Sequence, residues 1–220
     1  LALQRSNIPM IKKEDALAIL LRCAKTYDQT LRPYNFLFVF GSQAQTECIQ
    51  IKFPRQNFRH LTGVDSPRLT ATQFYNACVN KRLSLNDFQF HDETTELKLV
   101  VLPTLLRLHK SSKMVGTYAG HQLFLSTETL IGGTNACMGF IPDSNYPGAT
   151  FSVPNTALNL DIRDITIAPQ KQVVAVFRKF RTDSKYNHLC MINRGITIET
   201  LKLPEVIHSY IDFDTLTSDF

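Results

Sequence analysis

Residues 171–192, KQVVAVFRKFRTDSKYNHLCMI, carry the pattern that decides the fold class. A β-branched and aromatic run, a polar RTDS break and a second apolar run read as two antiparallel strands joined by a short connection. If the first strand is regular, Arg178 and Phe180 point one way while Phe177, Lys179 and Arg181 point the other. Tyr186 and His188, two residues apart, are expected to share a face of the second strand. The plainest role for these cations is to charge an edge strand against aggregation.

Upstream of this hairpin, the stretch after Ser112 is broken into short runs by Gly, Asn and Pro. MVGTY (114–118), HQLFLST (121–127), TLIGG (129–133), ACMGFI (136–141) and TFSV (150–153) predict a β-meander. PNTALNLDIRDI (154–165) then reads as a loop or short helix. The first half has a different character. KKEDALAILLRCAKTYDQTL (12–31) places Leu17, Leu20, Leu21, Ala24, Tyr27 and Leu31 at helical spacing, with Glu14 and Asp15 in the first turn and Pro33 as the stop. NFLFVFG (35–41) and ECIQIKF (47–53), linked by SQAQT, predict a hairpin closed by Pro54, with residues 57–67 as its exit loop. Thr70 and Gln73 match a capping box for a helix over residues 70–80. LSLNDFQF (83–90) fits a short helix or a strand, and TTELKLVVLPTLLRLHK (94–110) predicts a helix kinked at Pro103. The sum is one α+β domain over residues 1–220. Its helical part runs to about 112, its mainly antiparallel part spans about 113–195, and an acidic segment occupies 199–220.

Composition narrows the function classes. Hydrophobic residues make up 44% and charged residues 20%, an ordinary globular composition that can bury a core, and nothing in it suggests disorder. No apolar run approaches the ~20 residues of a membrane helix, and the first residues lack the pattern of a signal peptide. Cys23, Cys48, Cys78, Cys137 and Cys190 are isolated and odd in number, without the short paired spacings of a disulfide framework or zinc site. They read as buried thiols in a reducing cytosol, so a cytoplasmic location is expected. The net charge is +5, and basic residues gather in FPRQNFRH (53–60), LLRLHKSSK (105–113) and FRKFRTDSK (177–185). Acidic ones gather in HDETTE (91–96) and after Pro204. Such asymmetry fits one positive face toward a polyanion, or equally three solvated turns.

Familiar catalytic signatures are missing. GTYAGHQ (116–122) lacks the Lys-Ser/Thr of a phosphate-binding loop, and IGGTNACMG (131–139) sits between strand-like runs as a hairpin turn would. There is no His-Glu-x-x-His motif, no carboxylate cluster for a metal pair and no nucleophile elbow, so neither metal nor cofactor is expected. What remains is a scatter of His, Lys, Arg, Tyr, Asn and Thr, the kit of a metal-independent ribonuclease. There a base takes the ribose 2′-OH proton, cations hold the phosphorane and an acid protonates the 5′-oxygen.

His60 is the candidate base, in a basic loop-like context; with Asn57 and Thr62 it would otherwise shape the turn at Gly63. His91 reads as solvated or capping. His109 adjoins Lys110 and Lys113, which suits phosphate contact or a helix C-terminus. His121 reads as a surface turn residue, and His208 belongs to the acidic segment. Arg163 would touch phosphate or pair locally with Asp161 or Asp164.

Taken in order, NFRHLTG, FYNACVNKRLSLNDF, ELKLVVLPTLL, GG…CMGF, VPNTALNLDIRDI and VVAVFRKF…KY resemble the phage-type Barnase–EndoU–Colicin–RelE-like nucleases, the group numbered four. The resemblance covers most of the chain and leaves the acidic segment outside. It implies helices preceding a small antiparallel sheet, a metal-independent RNase activity, and phage or mobile-element origin with a toxin or conflict-effector role. An antitoxin or immunity protein is then the expected partner beside RNA. Carried over by position, its motifs fall on His60, Thr62 and Gly63; on Pro154, Asn155, Thr156, Asp161, Ile162, Arg163 and Asp164; and on Arg178, Lys179, Lys185 and Tyr186.

The expected catalytic set is therefore His60, Arg163, Tyr186 and Lys179. Arg59, Thr62, Asn155, Thr156, Arg178, Lys185 and His188 are expected to bind substrate. A non-catalytic RNA- or protein-binding module with a basic face is the alternative, and nucleotide-cofactor transferase chemistry ranks last.

Overall fold

In the computed structural model, residues 11–42, 45–120, 126–143 and 150–219 are described. Helix α1 (Lys13–Thr26) forms where its periodicity predicts and buries Ala16, Leu20, Cys23 and Ala24. It widens into a π-helical turn, Tyr27–Leu31, just before Pro33. Tyr27 is the pivot of the helical half. Its ring meets Phe53, Phe58 and Tyr75 edge-on at 5.7, 5.3 and 5.8 Å, and its hydroxyl donates to the Pro54 carbonyl at 2.8 Å. A phenol this deep keeps its polar end satisfied, which removes most of the cost of burial.

The predicted first hairpin is β1 (Tyr34–Gly41) with β2 (Thr46–Lys52), antiparallel in register from Asn35–Lys52 to Gly41–Thr46. The exit loop, in contrast, is helix α2 (Asn57–Thr62). Six residues are too few to hold a helix by propensity. Burial does it: Phe58 and Leu61, three apart, are fully buried, and α2 packs on α3, α4 and β8. Gly63 ends the helix at φ +69°, and an added Cβ would sit 2.7 Å from the Lys98 side chain. β3 (Val64–Asp65) and β4 (Gln89–Phe90) form a separate small ladder around α3 (Ala71–Val79). α3 carries the predicted capping box, Thr70 and Gln73 each accepting from the other's backbone N–H. Residues 83–90 are turn rather than helix until β4. Helix α4 (Thr94–Leu105) runs through Pro103 and breaks two residues later, before α5 (Leu108–Ser111). Pro103 has no N–H to give the Leu99 carbonyl, and the helix ends within two residues of it.

The meander follows: β5 (Met114–Thr117), β6 (Thr129–Gly132), β7 (Cys137–Pro142) and β8 (Phe151–Leu158), each antiparallel to the next. PNT lies inside β8, and only the following stretch makes a helix, α6 (Ile162–Ile165). β7 and β8 slip register beside Pro154, which has no N–H to give the ladder. The deciding hairpin is β9 (Lys171–Phe180) with β10 (His188–Ile192), followed by α7 (Glu205–Ser209) and β11 (Thr217–Ser218).

β9 organises the sheet. One edge pairs with β1 from Tyr34–Phe180 to Phe40–Val173; the other is shared between β5 and β10. With a short parallel joint between β2 and β8, the pairings run β1-β2-β8-β7-β6-β5-β9 and return to β1. Among the described residues, seven strands thus close a ring, with β10 and β11 appended. Both faces of the β9 region are covered, which is why Val173 to Phe177 are continuously buried instead of alternating. The inner face (Phe36, Phe38, Ile131, Met138, Ala157, Val176) joins the helices in one core. The outer face divides: Leu37, Val39, Phe177 and Leu189 lie under Ile207 and Ile211, while Leu130, Cys137 and Leu158 lie under Ile162 and Ile165 of α6.

Tyr186 and His188 do not share a face. β10 begins only at His188, and Tyr186 makes an isolated bridge to Ile211. The five cysteines carry free thiols, four of them buried. Among the described residues no helix is long and apolar enough to cross a membrane. His121 and most of the predicted 121–127 strand lie outside the described residues.

Candidate functional site

α2 presents His60 outward while its apolar side locks onto β8. Asn57 donates to the Pro154 carbonyl at 2.9 Å, tying the NFRH and PNT stretches together. Arg59 donates to the Leu69 carbonyl at 3.0 Å. Thr62 is fully buried, donating to the Arg59 carbonyl at 2.7 Å, so its hydroxyl holds the helix end. His60 itself is exposed and makes no hydrogen bond among the described residues. Partial desolvation, then the charges of Arg59 and Lys98, lower its pKa and favour the neutral imidazole.

Arg163 lies elsewhere. α6 packs on the outer face of β5 and β6, and α2 on the inner side of β8, so the sheet separates Arg163 from His60. Its guanidinium is exposed and forked onto Asp161, with Nη2 at 2.6 Å and Nε at 3.0 Å from Oδ2. Asp161 also caps α6 through the Arg163 N–H. This is the local Arg–Asp pairing the sequence allowed.

Tyr186 is fully buried, its hydroxyl donating to Gln50 Oε1 at 2.9 Å, and burial raises its pKa far above the ordinary phenol value. The expected acid or orienter is thus part of the core. Lys179 lies on the same outer face, donating to the Ser184 carbonyl at 2.7 Å with its ammonium 5.0 Å from the Tyr186 ring centroid. Lys185 is exposed. Asn155 donates to the Ser126 carbonyl, whereas its Oδ1 and the Thr156 hydroxyl are buried without partners. Both crowd Gly139, where an added Cβ would meet Thr156 Cγ2 at 2.7 Å. The PNT stretch therefore packs against Gly139 and Phe140 of β7 instead of opening to solvent.

The groups that do converge are Arg178 and His188, paired across β9 and β10 on the inner side of that hairpin. Arg178 Nη2 is 3.1 Å from His188 Nε2, and its guanidinium lies 4.7 Å from the Tyr34 ring centroid. A cleft of about 290 Å³ opens here, lined by Tyr34, Arg178, Lys179, Asn187, His188 and Thr217 among others. Thr217 Oγ1 donates to the Asn187 carbonyl at 3.3 Å, leaving a lone pair for His188 Nδ1 at 2.7 Å. Thr217 is thus placed to accept a proton from Nδ1, while Nε2 meets Arg178 and Asp219. Asp219 completes the cluster, with Oδ1 2.8 Å from His188 Nε2 and Oδ2 2.8 Å from Lys110 Nζ. Those contacts, Lys110 foremost, hold its carboxyl down to about 2.

Sequence reasoning missed Tyr34, Lys110 and Asp219. Lys110 had a signal, since it sits beside His109 in a basic run; but His109 is 3% exposed and turned inward against Phe36, ring centroids 5.3 Å apart. Burial, then Lys110 and Arg178, push its imidazole down to about 4. His91 pairs with Asp65 at 2.7 Å in solvent, and His208 stacks on Phe213. Among the described residues no His, Cys, Asp and Glu group has the makings of a metal site.

The family model described as phage-Barnase-EndoU-ColicinE5/D-RelE like nuclease 4 matches residues 19–195. No curated protein and no solved structure matches the chain.

Proposed function

Because this chain belongs to the phage-Barnase-EndoU-ColicinE5/D-RelE like nuclease 4 family, we propose that it is an endoribonuclease that cleaves RNA without a metal ion, at the Tyr34–Arg178–His188 cleft. The observation that carries the site is the Arg178–His188 pair, a guanidinium and an imidazole 3.1 Å apart in an open cleft. His188 Nε2 takes the 2′-OH proton while Thr217 holds Nδ1–H in place. The 2′-oxygen attacks phosphorus, Arg178 stabilises the charge on the non-bridging oxygens, and the 5′-oxygen leaves with the proton returned by the imidazolium. The products are a 2′,3′-cyclic phosphate and a free 5′-hydroxyl. Tyr34 offers a ring on which an unpaired base stacks, and Lys179 lines the rim. The family's phage designation supports a conflict-effector role, with an antitoxin as protein partner and the cytoplasm as site of action.

A second reading puts the base at His60, whose neutral, exposed imidazole beside Arg59 and Lys98 suits proton abstraction. Mapping RNA ends after incubation in EDTA with wild-type protein, His188→Ala and His60→Ala separates the two. Cyclic phosphate ends that vanish in His188→Ala support the first reading, and ends that vanish only in His60→Ala support the second. Salt-sensitive binding with tRNA and ribosomal RNA left intact overturns both in favour of a non-catalytic module.

A further inference from the structure

Asp219 sits where a substrate phosphate would be held. Its two oxygens are split between three side chains: Oδ2 takes Lys110 at 2.8 Å, while Oδ1 takes His188 at 2.8 Å and faces Arg178 at 3.6 Å. These side chains come from different elements, α5, β9 and β10, so only tertiary structure assembles them. The carboxylate is delivered by β11, a strand of two residues that pairs in parallel with His188 and Leu189 of β10. Few backbone bonds hold it there. It also lies outside the 19–195 span that matches the family, whereas Lys110, Arg178 and His188 lie within it. The buried His109 stands next to Lys110, its Nδ1 without a partner and in the field of Arg178 and Asp219.

The chemistry of the contact argues against a helper role for Asp219. A carboxylate that orients a catalytic imidazole binds the nitrogen remote from substrate. Here Thr217 holds Nδ1, and Asp219 sits on Nε2, the nitrogen that also faces the Arg178 guanidinium. A carboxylate seated on Nε2 keeps a 2′-hydroxyl from reaching that nitrogen. Two anionic oxygens spread over Lys, Arg and His also match what a phosphodiester offers through its non-bridging oxygens.

We propose that Lys110, Arg178 and His188 form a binding site for an RNA phosphodiester, occupied in the free chain by the Asp219 carboxylate as an internal phosphate surrogate. Substrate enters by displacing Asp219 together with the short β11 strand, and the same exchange frees His188 Nε2. The inference rests on the cleft assigned above, but it concerns binding and is read without cleavage.

The test uses a 2′-O-methyl RNA oligonucleotide, which lacks the attacking hydroxyl, followed by fluorescence anisotropy. Asp219→Asn and Asp219→Ala are expected to bind it about tenfold more tightly than wild type, since an internal competitor is gone. Asp214→Asn, which removes an equal charge at an exposed position nearby, is expected to change affinity by less than about twofold. Adding Arg178→Ala to Asp219→Asn returns the affinity to wild type or below. Equal or weaker binding by both Asp219 variants overturns the proposal, as does an equal gain in Asp214→Asn. In the unaltered chain, inorganic phosphate should shift the His188 ring ¹⁵N and the Asp219 carboxyl ¹³C resonances together, and the absence of both shifts also overturns it. Tighter binding by Asp219→Asn without any RNA cleavage leaves the phosphate site standing and removes the nuclease assignment.

Discussion

Two histidines on the inner side of the sheet, His60 on α2 and His188 on β10, show what makes a side chain a candidate catalyst. His60 projects from a six-residue helix anchored by Phe58 and Leu61, and its ring meets no hydrogen-bonding partner among the described residues. His188 is held at both nitrogens, by Thr217 and Asp219, with Arg178 opposite and Tyr34 below. The first has basicity without orientation. The second has orientation and a cation beside it, but Asp219 lies on its Nε2 in the free chain. Catalytic acid–base groups are recognised by geometry before pKa, which favours His188.

The sharpest way to break this contrast is cleavage kinetics. His188→Ala is expected to lower the single-turnover rate by about 10²- to 10⁴-fold, the range of a lost general base, with His60→Ala within a few-fold of wild type. The opposite ranking moves the site to α2.

The hairpin's surroundings give the next largest effect. His109 is neutral when folded, with its pKa lowered from the ordinary 6.5 to about 4, so the unfolded chain binds the extra proton between those values. Stability is then complete above about pH 6.5 and falls as pH drops toward 4, by roughly 3 kcal/mol from the pKa difference. Lys110 and Arg178 reinforce that loss and Asp219 opposes it. The depressed Asp219 pKa acts lower, its contribution fading only as pH falls from about 4 toward 2. Denaturant melts across pH should show the slope, and His109→Leu should flatten it between pH 6.5 and 4.

Tyr186→Phe removes the donor to Gln50 without opening a cavity. A loss of about 1–2 kcal/mol in urea unfolding, with cleavage retained, is expected for a buried hydrogen-bonded phenol. Loss of cleavage in a folded Tyr186→Phe protein would return that residue to the site.

The smallest effect belongs to Arg163→Ala. An exposed ion pair contributes little to stability, and with the sheet between Arg163 and either histidine, cleavage should stay within about twofold. A large rate loss there would show that the outer face takes part in catalysis.

Much of the fold was legible from residues alone. α1, the capping box of α3, the β1–β2 hairpin, the β5–β8 meander and the β9–β10 hairpin each rest on a local pattern. Period, cap and turn chemistry act over a few neighbours, so they survive without tertiary context. The misread elements lacked that support. α2 is helical only because β8 and α4 bury Phe58 and Leu61, and PNT is strand only because β7 lies beside it to accept a bulge. Of the candidate site, Arg178 and His188 were found in the hairpin, as was the opposite facing of Arg178 and Lys179. Tyr34 and Lys110 were not, because Tyr34 reaches the cleft, and Lys110 the Asp219 carboxylate, from elements distant along the chain.

By itself the sequence determined an α+β chain with a helical first half, a sheet-rich second half, no membrane-spanning helix among the described residues and a basic hairpin. Tertiary structure alone decided that β9 closes a ring between β1 and β5, and that Arg163 and His60 lie on opposite faces of it. It also decided that Asp219 lands on Lys110 and His188. The reason is range: hydrophobic period and turn chemistry are written within ten or so neighbouring residues, whereas an electrostatic site is a sum over groups that only the closed sheet brings within 4 Å.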